Sequence, residues 1–125
     1  MRHFATVVIG GGAAGIMAAG VAASRGGNVL LCERMEKPQR KVRITGKGRC
    51  NLTNMRSEAE FLEKIRCSSE FFAPALRRFS NAETVEFFRR IGVPLSVERG
   101  KRVFPASGKA WDVAEAHIDW CRRQG

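Results

Sequence analysis

The chain has 125 residues, which is enough for one domain with a hydrophobic core. Its 22 Lys and Arg against 12 Asp and Glu give a formal net charge of +10 at pH 7. Such a charge suits an anionic partner, and cofactor phosphates, nucleic acid and an anionic membrane surface all qualify. No apolar run approaches the roughly 20 residues of a membrane span, so we expect no membrane-embedded segment.

The cysteines argue against a metal site. Cys32, Cys50, Cys67 and Cys121 are far apart in the sequence and form no CxxC pair, so neither a zinc ribbon nor a thioredoxin-like redox pair is indicated. Because the N-terminus does not read as a signal peptide, we expect a reduced, cytoplasmic setting. No sequence feature specifies an oligomeric state.

Residues 4–33 predict a βαβ unit. The apolar run Phe4–Ile9 is typical of a strand buried on both faces of a parallel sheet. Ala13–Ser24 is rich in alanine, the strongest helix former, and is followed by a pair of glycines that would end the helix. Asn28–Glu33 then predicts a second short strand, which completes a unit of the expected size.

The stretch GGGAAG lies between the first strand and the helix and fits the pattern GxGxxG. Gly10 permits the tight turn, Gly12 lets a pyrophosphate approach the backbone, and Gly15 lets the helix pack closely on the sheet. Ala13 and Ala14 begin the helix, where free N–H groups and a partial positive charge suit phosphate. The motif therefore predicts a dinucleotide-binding loop.

An acidic residue strengthens this interpretation. Glu33 stands about 20 residues after the glycines, at the end of the second strand, where it could accept hydrogen bonds from both hydroxyls of an adenosine ribose. Strand, helix and acid together favour a cofactor site over a packed turn with an incidental carboxylate. The acid favours an unphosphorylated ribose, hence FAD or NAD rather than NADP, and the motif does not separate these two.

Residues 34–54 read as a loop with one proline, two glycines and seven cationic residues. A loop of this length is usually functional or disordered. Its glycines would let the backbone approach a ligand, its cations could contact phosphate or an electron-rich ring, and its neutral polar groups could add hydrogen bonds. A solvated basic loop explains the spacing equally well. The residues concerned are Gly46, Gly48, Lys41, Lys47, Arg49, Asn51, Thr53 and Asn54.

Three helices are predicted in residues 57–92. Ser57 and Glu60 form a capping box for a helix that reaches about Arg66, and a second helix covers Phe72–Phe79. Asn81 is the predicted N-cap of a third helix, which stops at Gly92 and carries Val85, Phe88 and Ile91 on one face.

The remaining residues predict a hairpin and a helix. Leu95–Glu98 and Arg102–Phe104 flank a glycine-containing turn and read as two antiparallel strands. The last helix covers Ala110–Arg123 and buries an apolar face at helical spacing. The residues of that face are Val113, His117, Trp120 and Cys121.

Three blocks of sequence carry a family resemblance. GGGAAG, RKVRITGKGRCNLTN and ERGKRVFPASGKAWDV resemble the BaiN-type family of NAD(P)/FAD-dependent flavoproteins, a branch of the glutathione-reductase-like FAD fold. The resemblance covers nearly the whole chain. It implies an α/β fold with a Rossmann-like βαβ FAD-binding unit (4–33), a flavin-side loop (34–54), a helical segment (57–92), and a hairpin and helix (95–124).

The resemblance also implies where FAD binds without a covalent bond. The glycine loop would contact the pyrophosphate and Glu33 the adenosine ribose, while the Lys41 region and Gly48–Asn51 would lie along the flavin. The candidate cofactor-binding residues are Gly10, Gly12, Ala13, Ala14, Gly15, Glu33, Arg34, Lys41, Gly48, Arg49, Cys50 and Asn51.

Two positions differ from the family pattern, since Gln39 and Lys47 stand where members usually have Gly. Cys50 follows Arg49, a basic neighbourhood that would lower its thiol pKa, although a structural role is favoured over a redox one. Family members run to several hundred residues. We therefore expect this chain to be an N-terminal portion, with the fold and flavin site incomplete relative to the full family fold.

Two functions are consistent with these features. The first is the N-terminal part of an FAD-dependent oxidoreductase that uses a nicotinamide nucleotide, NAD(P)H, and a small organic substrate; no general acid or base is identified. The second is a basic module on a relic nucleotide-binding fold that binds nucleic acid or an acidic partner. Paired arginines near predicted helix ends could form such a surface, but no recognition motif supports it, so nucleic acid is disfavoured.

Overall fold

The computed structural model describes residues 1–66 and 68–125, so Cys67 lies outside the described residues. The chain forms a mixed α/β fold with a two-stranded parallel sheet and a three-stranded antiparallel sheet. The strands are β1 (Thr6–Ile9), β2 (Val29–Cys32), β3 (Thr53–Asn54), β4 (Leu95–Glu98) and β5 (Arg102–Pro105). The helices are α1 (Ala13–Ser24), α2 (Arg40–Ile44), α3 (Glu58–Glu63), α4 (Ser69–Arg78), α5 (Asn81–Arg90) and α6 (Ala110–Arg122).

The predicted βαβ unit is confirmed. β1 and β2 pair in parallel from Thr6 opposite Val29 to Ile9 opposite Cys32, with α1 as the crossover helix. The expectation that β1 is buried on both faces is wrong for the described part of the chain. Ile9 is 80% exposed and Val7 is 52% exposed, because α1 covers only the opposite face of this narrow sheet.

The predicted loop 34–54 contains regular structure. Its middle forms α2, a 3₁₀ turn follows at Thr45–Gly48, and β3 closes the segment. A helix of five residues is too short to carry a hydrophobic period, so the sequence did not reveal it. Left-handed backbone at Gly46 and Lys47 interrupts the 3₁₀ turn and redirects the chain toward β3.

Capping side chains set the starts of α3, α4 and α5. The capping box of Ser57 and Glu60 is confirmed at α3, which ends at Glu63 rather than near Arg66. The N-cap of α5 is Ser80, paired with Glu83 in a second box, and not Asn81 as expected. The Asn81 side chain instead donates hydrogen bonds to backbone carbonyls near β3. Ser68 caps α4, which therefore begins before the predicted Phe72.

The predicted hairpin is confirmed, and a third strand pairs with it. β4 and β5 pair antiparallel around a 3₁₀ turn at Arg99–Lys101, and β3 pairs with the other edge of β5. The sheet order is β3-β5-β4. With only two residues, β3 has no detectable alternation in sequence.

The last helix organises the core. α6 packs against α1, where a Cβ atom added at Gly20 would lie 2.2 Å from a ring carbon of Trp120. The Trp120 ring meets the Phe87 ring edge-on with centroids 4.8 Å apart. Gly20 is thus the point at which α1 lets the Trp120 ring of α6 approach.

Replacing Gly20 by Ala tests this packing. In an exposed helical position this change would stabilise by about 1 kcal/mol. Here the methyl group overlaps Trp120, so we expect a net loss of about 1–3 kcal/mol in the free energy of unfolding, measured by urea denaturation. The control is Ala18→Gly, at an exposed position of the same helix, which should also destabilise the protein. Alanine is thus preferred over glycine at position 18, and glycine over alanine at position 20. A more stable Gly20→Ala protein would contradict the assigned contact.

Candidate functional site

The glycine loop joins the end of β1 to the start of α1 and is hydrogen bonded to the end of β2. The Gly10 N–H donates to the Cys32 carbonyl over 2.7 Å, and Gly10 has a φ of 102°, which favours glycine. A Cβ at Gly15 would lie 1.8 Å from the Gly10 carbonyl oxygen, so only glycine at this position lets the first turn of α1 lie against the loop. A Cβ at Gly12 would meet nothing within 4 Å, which leaves open space above the loop.

The Glu33 carboxylate is bound to the backbone around this loop. The Gly11 N–H donates to its Oε2 and the Met35 N–H to its Oε1, each over 2.7 Å. These two hydrogen bonds, that from Met35 having the larger effect, lower the pKa of the Glu33 carboxyl. The carboxylate therefore stays ionised at neutral pH. The side chain is also exposed, and each oxygen keeps a lone pair for another donor.

Gly11 is a site residue that was not predicted from the sequence. A Cβ at this position would lie 3.0 Å from the Pro38 Cβ and 3.1 Å from Glu33 Oε2. The available signal was the third glycine of GGGAAG, which GxGxxG leaves unassigned. Gly11 therefore sets the distance between the loop and Glu33.

A first cavity of about 370 Å³ lies beside the loop. It brings together Gly12, Ala13 and Glu33 with Lys41, which the resemblance had placed along the flavin and which the structure places beside the glycine loop. It also contains two cations, Lys37 and Arg40, that were not among the predicted site residues. The complete lining is Gly12, Ala13, Glu33, Met35, Lys37, Gln39, Arg40, Lys41 and Val42.

A second cavity of about 270 Å³ adjoins the first, since Ala13, Gln39 and Val42 line both. It contains the predicted Cys50 and Asn51. Its lining is mainly apolar and comes from α1, α2, the 45–52 segment, α5 and α6. The residues are Ala13, Met17, Gln39, Val42, Thr45, Cys50, Asn51, Leu52, Phe88, Val113 and His117.

Some predicted residues lie outside both cavities. The Arg49 guanidinium forms a salt bridge with Glu98 and lies 4.3 Å from the centroid of the Phe104 ring, so this side chain faces the hairpin. Gly48 has a φ of 82° and forms the end of the 3₁₀ turn. Arg34 is exposed, and Ala14 is exposed on the first turn of α1.

The prediction that Cys50 has a lowered thiol pKa is wrong. Cys50 is 4% exposed, and burial raises the pKa of its thiol to about 11. The neighbouring Arg49 turns away to Glu98 and Phe104, so its charge does not offset the burial. The thiol is therefore protonated at neutral pH and belongs to the core.

The two departures from the family pattern share one backbone conformation. Gln39 has a φ of 59° and Lys47 a φ of 57°, in the left-handed region that glycine enters without cost. A residue with a side chain pays on the order of 1 kcal/mol there. Lys47 is exposed, whereas Gln39 is only 2% exposed and has buried partners.

A buried histidine holds the Gln39 side chain. Gln39 Nε2 lies 2.8 Å from His117 Nδ1, and His117 is 3% exposed among the rings of Phe87, Phe88 and Trp120. Burial lowers the pKa of His117 to about 4, so the imidazole is neutral at pH 7. The sequence indicated a buried position on α6 but no partner.

α6 also anchors α2. Arg43 Nη2 lies 2.7 Å from Glu115 Oε1, and the Arg43 guanidinium lies 4.1 Å from the centroid of the Trp111 ring. Arg43 Nε further donates to the Pro38 carbonyl over 3.2 Å. One arginine therefore ties the segment that bears Arg40 and Lys41 to the last helix.

In the described ranges, no helix has the length and apolar character needed to cross the bilayer. In the same part of the chain, no three His, Cys, Asp or Glu side chains come together as a metal-binding group.

The fold and the loop define a Rossmann-type nucleotide-binding unit. The chain belongs to the family described as HI0933-like protein Rossmann domain, which it matches over residues 4–125. The resemblance to BaiN-type flavoproteins and the predicted α/β class are thereby confirmed.

Curated relatives of two kinds are similar to the chain. It is 39% identical over 119 residues to the 3-dehydro-bile acid delta(4,6)-reductase of Clostridium scindens, a match covering 94% of this chain and 28% of the relative. It is 29% identical over 124 residues to the ribosomal RNA dihydrouridine synthase of Escherichia coli, covering 98% and 30%. The Haemophilus influenzae enzyme of that name is 31% identical over 125 residues, covering 99% and 30%. The chain thus spans less than a third of the length of these relatives.

A pH titration of stability tests the environment of His117. Between pH 6.5 and 4 the unfolded chain binds a proton at this histidine and the folded chain does not, so acid favours unfolding. This group alone should remove roughly 3 kcal/mol of stability as the pH falls through that range. His117→Asn, which cannot titrate, should show a correspondingly shallower slope in urea denaturation from pH 7.5 to 4. Equal slopes in the two proteins would contradict a buried neutral imidazole.

Proposed function

We propose that this chain is the ADP-binding, N-terminal part of an FAD-dependent oxidoreductase. The observation that carries the proposal is the joining of Glu33 to Gly11 beside the open space over Gly12. A fixed carboxylate next to an unobstructed glycine loop suits an adenosine ribose and its pyrophosphate.

Different residues of the first cavity would bind different parts of the cofactor. The N-terminal N–H groups of α1 would receive the pyrophosphate, because the first turn of a helix has unpaired donors. The Glu33 oxygens would accept the ribose hydroxyls, and Arg40 and Lys41 would neutralise phosphate charge from the other wall. The single carboxylate in the lining thus stands beside three cations, Lys37 being the third.

The second cavity suits the flavin side of the cofactor. Its thiol is protonated and its imidazole neutral, so it presents an apolar and largely uncharged wall. When bound, FAD would accept a hydride from a nicotinamide nucleotide and deliver it to a substrate. The chain's own residues here bind and orient the ring and exclude water; none of them has the exposure and pKa of a proton donor.

The names of the relatives support a reaction class. One is a delta(4,6)-reductase, and the other forms dihydrouridine, which is uridine with one double bond reduced. We propose that the complete protein likewise reduces a carbon–carbon double bond conjugated to a carbonyl, with NAD(P)H as electron donor. The test is the absorbance of reduced FAD when the full-length protein receives NADH or NADPH, followed by reoxidation with an enone.

Replacing Glu33 tests the ADP half of this proposal. Glu33→Gln removes the charge and one acceptor, so affinity for ADP and FAD should fall about 10- to 100-fold in calorimetric titrations. Glu36→Gln is the matched control, because Glu36 is exposed and outside the cavity lining. Unchanged binding in Glu33→Gln would show that the ribose assignment is wrong, and no binding by the unaltered full-length protein would refute the proposal.

A second candidate function is the binding of RNA, and a basic groove of about 600 Å³ favours it. Arg25, Arg78 and Arg90 border this groove, and the aromatic rings of Phe79 and Trp120 line it. A cation at a helix C-terminus needs no ligand to explain it, but aromatic rings beside three arginines suit stacked bases and phosphates. The net charge and the two relatives named for ribosomal RNA point the same way.

The salt dependence of RNA affinity tests this candidate. A single-stranded RNA oligonucleotide should bind more weakly as salt increases, and the double variant Arg78→Gln/Arg90→Gln should lower the slope of log affinity by about 0.7 per arginine. Arg122→Gln/Arg123→Gln removes the same charge outside the groove and should leave the aromatic contacts intact. Equal losses from both pairs would mean that RNA follows net charge rather than this groove.

A further inference from the structure

Gln39 occupies a central and costly position. Its φ of 59° is unfavourable for a residue with a side chain, yet Gln39 is among the most buried residues of the chain. Such strain persists only where the surroundings hold it in place. The contacts of Gln39 therefore show which parts of the structure its conformation supports.

The backbone of Gln39 joins the glycine loop to α2. Its N–H donates to the Gly11 carbonyl over 2.8 Å, and its carbonyl accepts from the Arg43 N–H over 3.1 Å. Gly11 in turn donates its own N–H to Glu33. The left-handed turn at Gln39 thus lies next in a chain of hydrogen bonds that ends on the carboxylate of the proposed ribose site.

The side chain of Gln39 points the other way, into the core. With Nε2 as donor, His117 Nδ1 is the acceptor, and the neutral ring carries its proton on Nε2. Gln39 Oε1 and His117 Nε2 have no further partner among the described residues. A buried pair that leaves two polar atoms unsatisfied is a poor source of stability, which points to a local role.

We propose that His117 is a positioning residue for the cofactor loop. By accepting the Gln39 amide at Nδ1, it holds the left-handed backbone that binds the Gly11 carbonyl, and so keeps the Gly11 N–H on Glu33. The effect on nucleotide affinity rests on the proposed function. The effect on the loop does not, because it follows from contacts within this chain.

Two substitutions at position 117 distinguish the loss of the hydrogen-bond acceptor from a change in side-chain volume. Asn places an oxygen near the position of Nδ1 and should retain the contact, whereas Leu fills space but accepts nothing. The substitution Gln39→Gly removes the need for the contact, since glycine adopts this φ freely. His117→Leu and His117→Asn are therefore compared in the unaltered protein and in Gln39→Gly, with His3→Leu as an exposed histidine control.

Amide hydrogen exchange at residue 39 measures the loop directly. We expect His117→Leu to speed exchange there about 10-fold or more relative to Val113 in the core, and His117→Asn to stay near the original rate. In Gln39→Gly, His117→Leu should change the exchange at residue 39 little. ADP affinity should follow the same order, with a loss of about 10-fold in His117→Leu alone.

Several results would overturn the proposal. These are an Asn variant no better than Leu, equal losses with and without the Gln39→Gly substitution, or exchange that rises uniformly across the core. If His117→Leu does not fold, His117→Gln replaces it, because its longer amide cannot place an acceptor at Nδ1. If no protein binds ADP, the proposed function fails, while the exchange rates still decide the role of His117.

Discussion

The hydrogen bond from the Gly11 N–H to the Glu33 carboxylate is the interaction on which the site depends. The parallel register puts Ile9 opposite Cys32, so the residues that follow β1 and β2 meet at one edge of the sheet. Glu33 can then bind the loop directly, over 2.7 Å. Because the glycine at position 15 lets α1 start against the loop, the same edge receives the helix N-terminus. Carboxylate, open backbone and helix dipole thus share one location through the strand pairing and the close approach of α1 at Gly15.

The second requirement is support from a distant part of the chain. Glu115 and Trp111 of α6 hold Arg43, and His117 of the same helix holds Gln39. Both contacts fix the short segment that brings Lys41 to the first cavity. A five-residue helix has little stability of its own, so its position must come from tertiary contacts. The last helix therefore serves as the platform for a segment about 70 residues earlier in the sequence.

Sequence reasoning recovered the elements whose signal is local. The βαβ unit, the hairpin and the box of Ser57 with Glu60 each depend on residues close in sequence, and each is present. The N-cap of α5 was predicted one residue too late, at Asn81 instead of Ser80, because Asn is an equally good cap and the tertiary role of Asn81 near β3 is not visible locally. α2, β3 and the pairing of Gln39 with His117 were not predicted. The first two are too short for periodicity, and the third joins residues 78 apart.

The two adjoining cavities differ in charge, and this difference is what the proposed binding of FAD requires. The first has Glu33 and three cations around the open loop, which suits a ribose and phosphates. The second has a protonated thiol and a neutral imidazole in an apolar wall, which suits a flat, uncharged ring. Gln39 lies at their common boundary, with its backbone on the polar side and its amide on the apolar side. The residue with the unfavourable backbone conformation, Gln39, is thus the one that fixes the positions of the two cavities relative to each other.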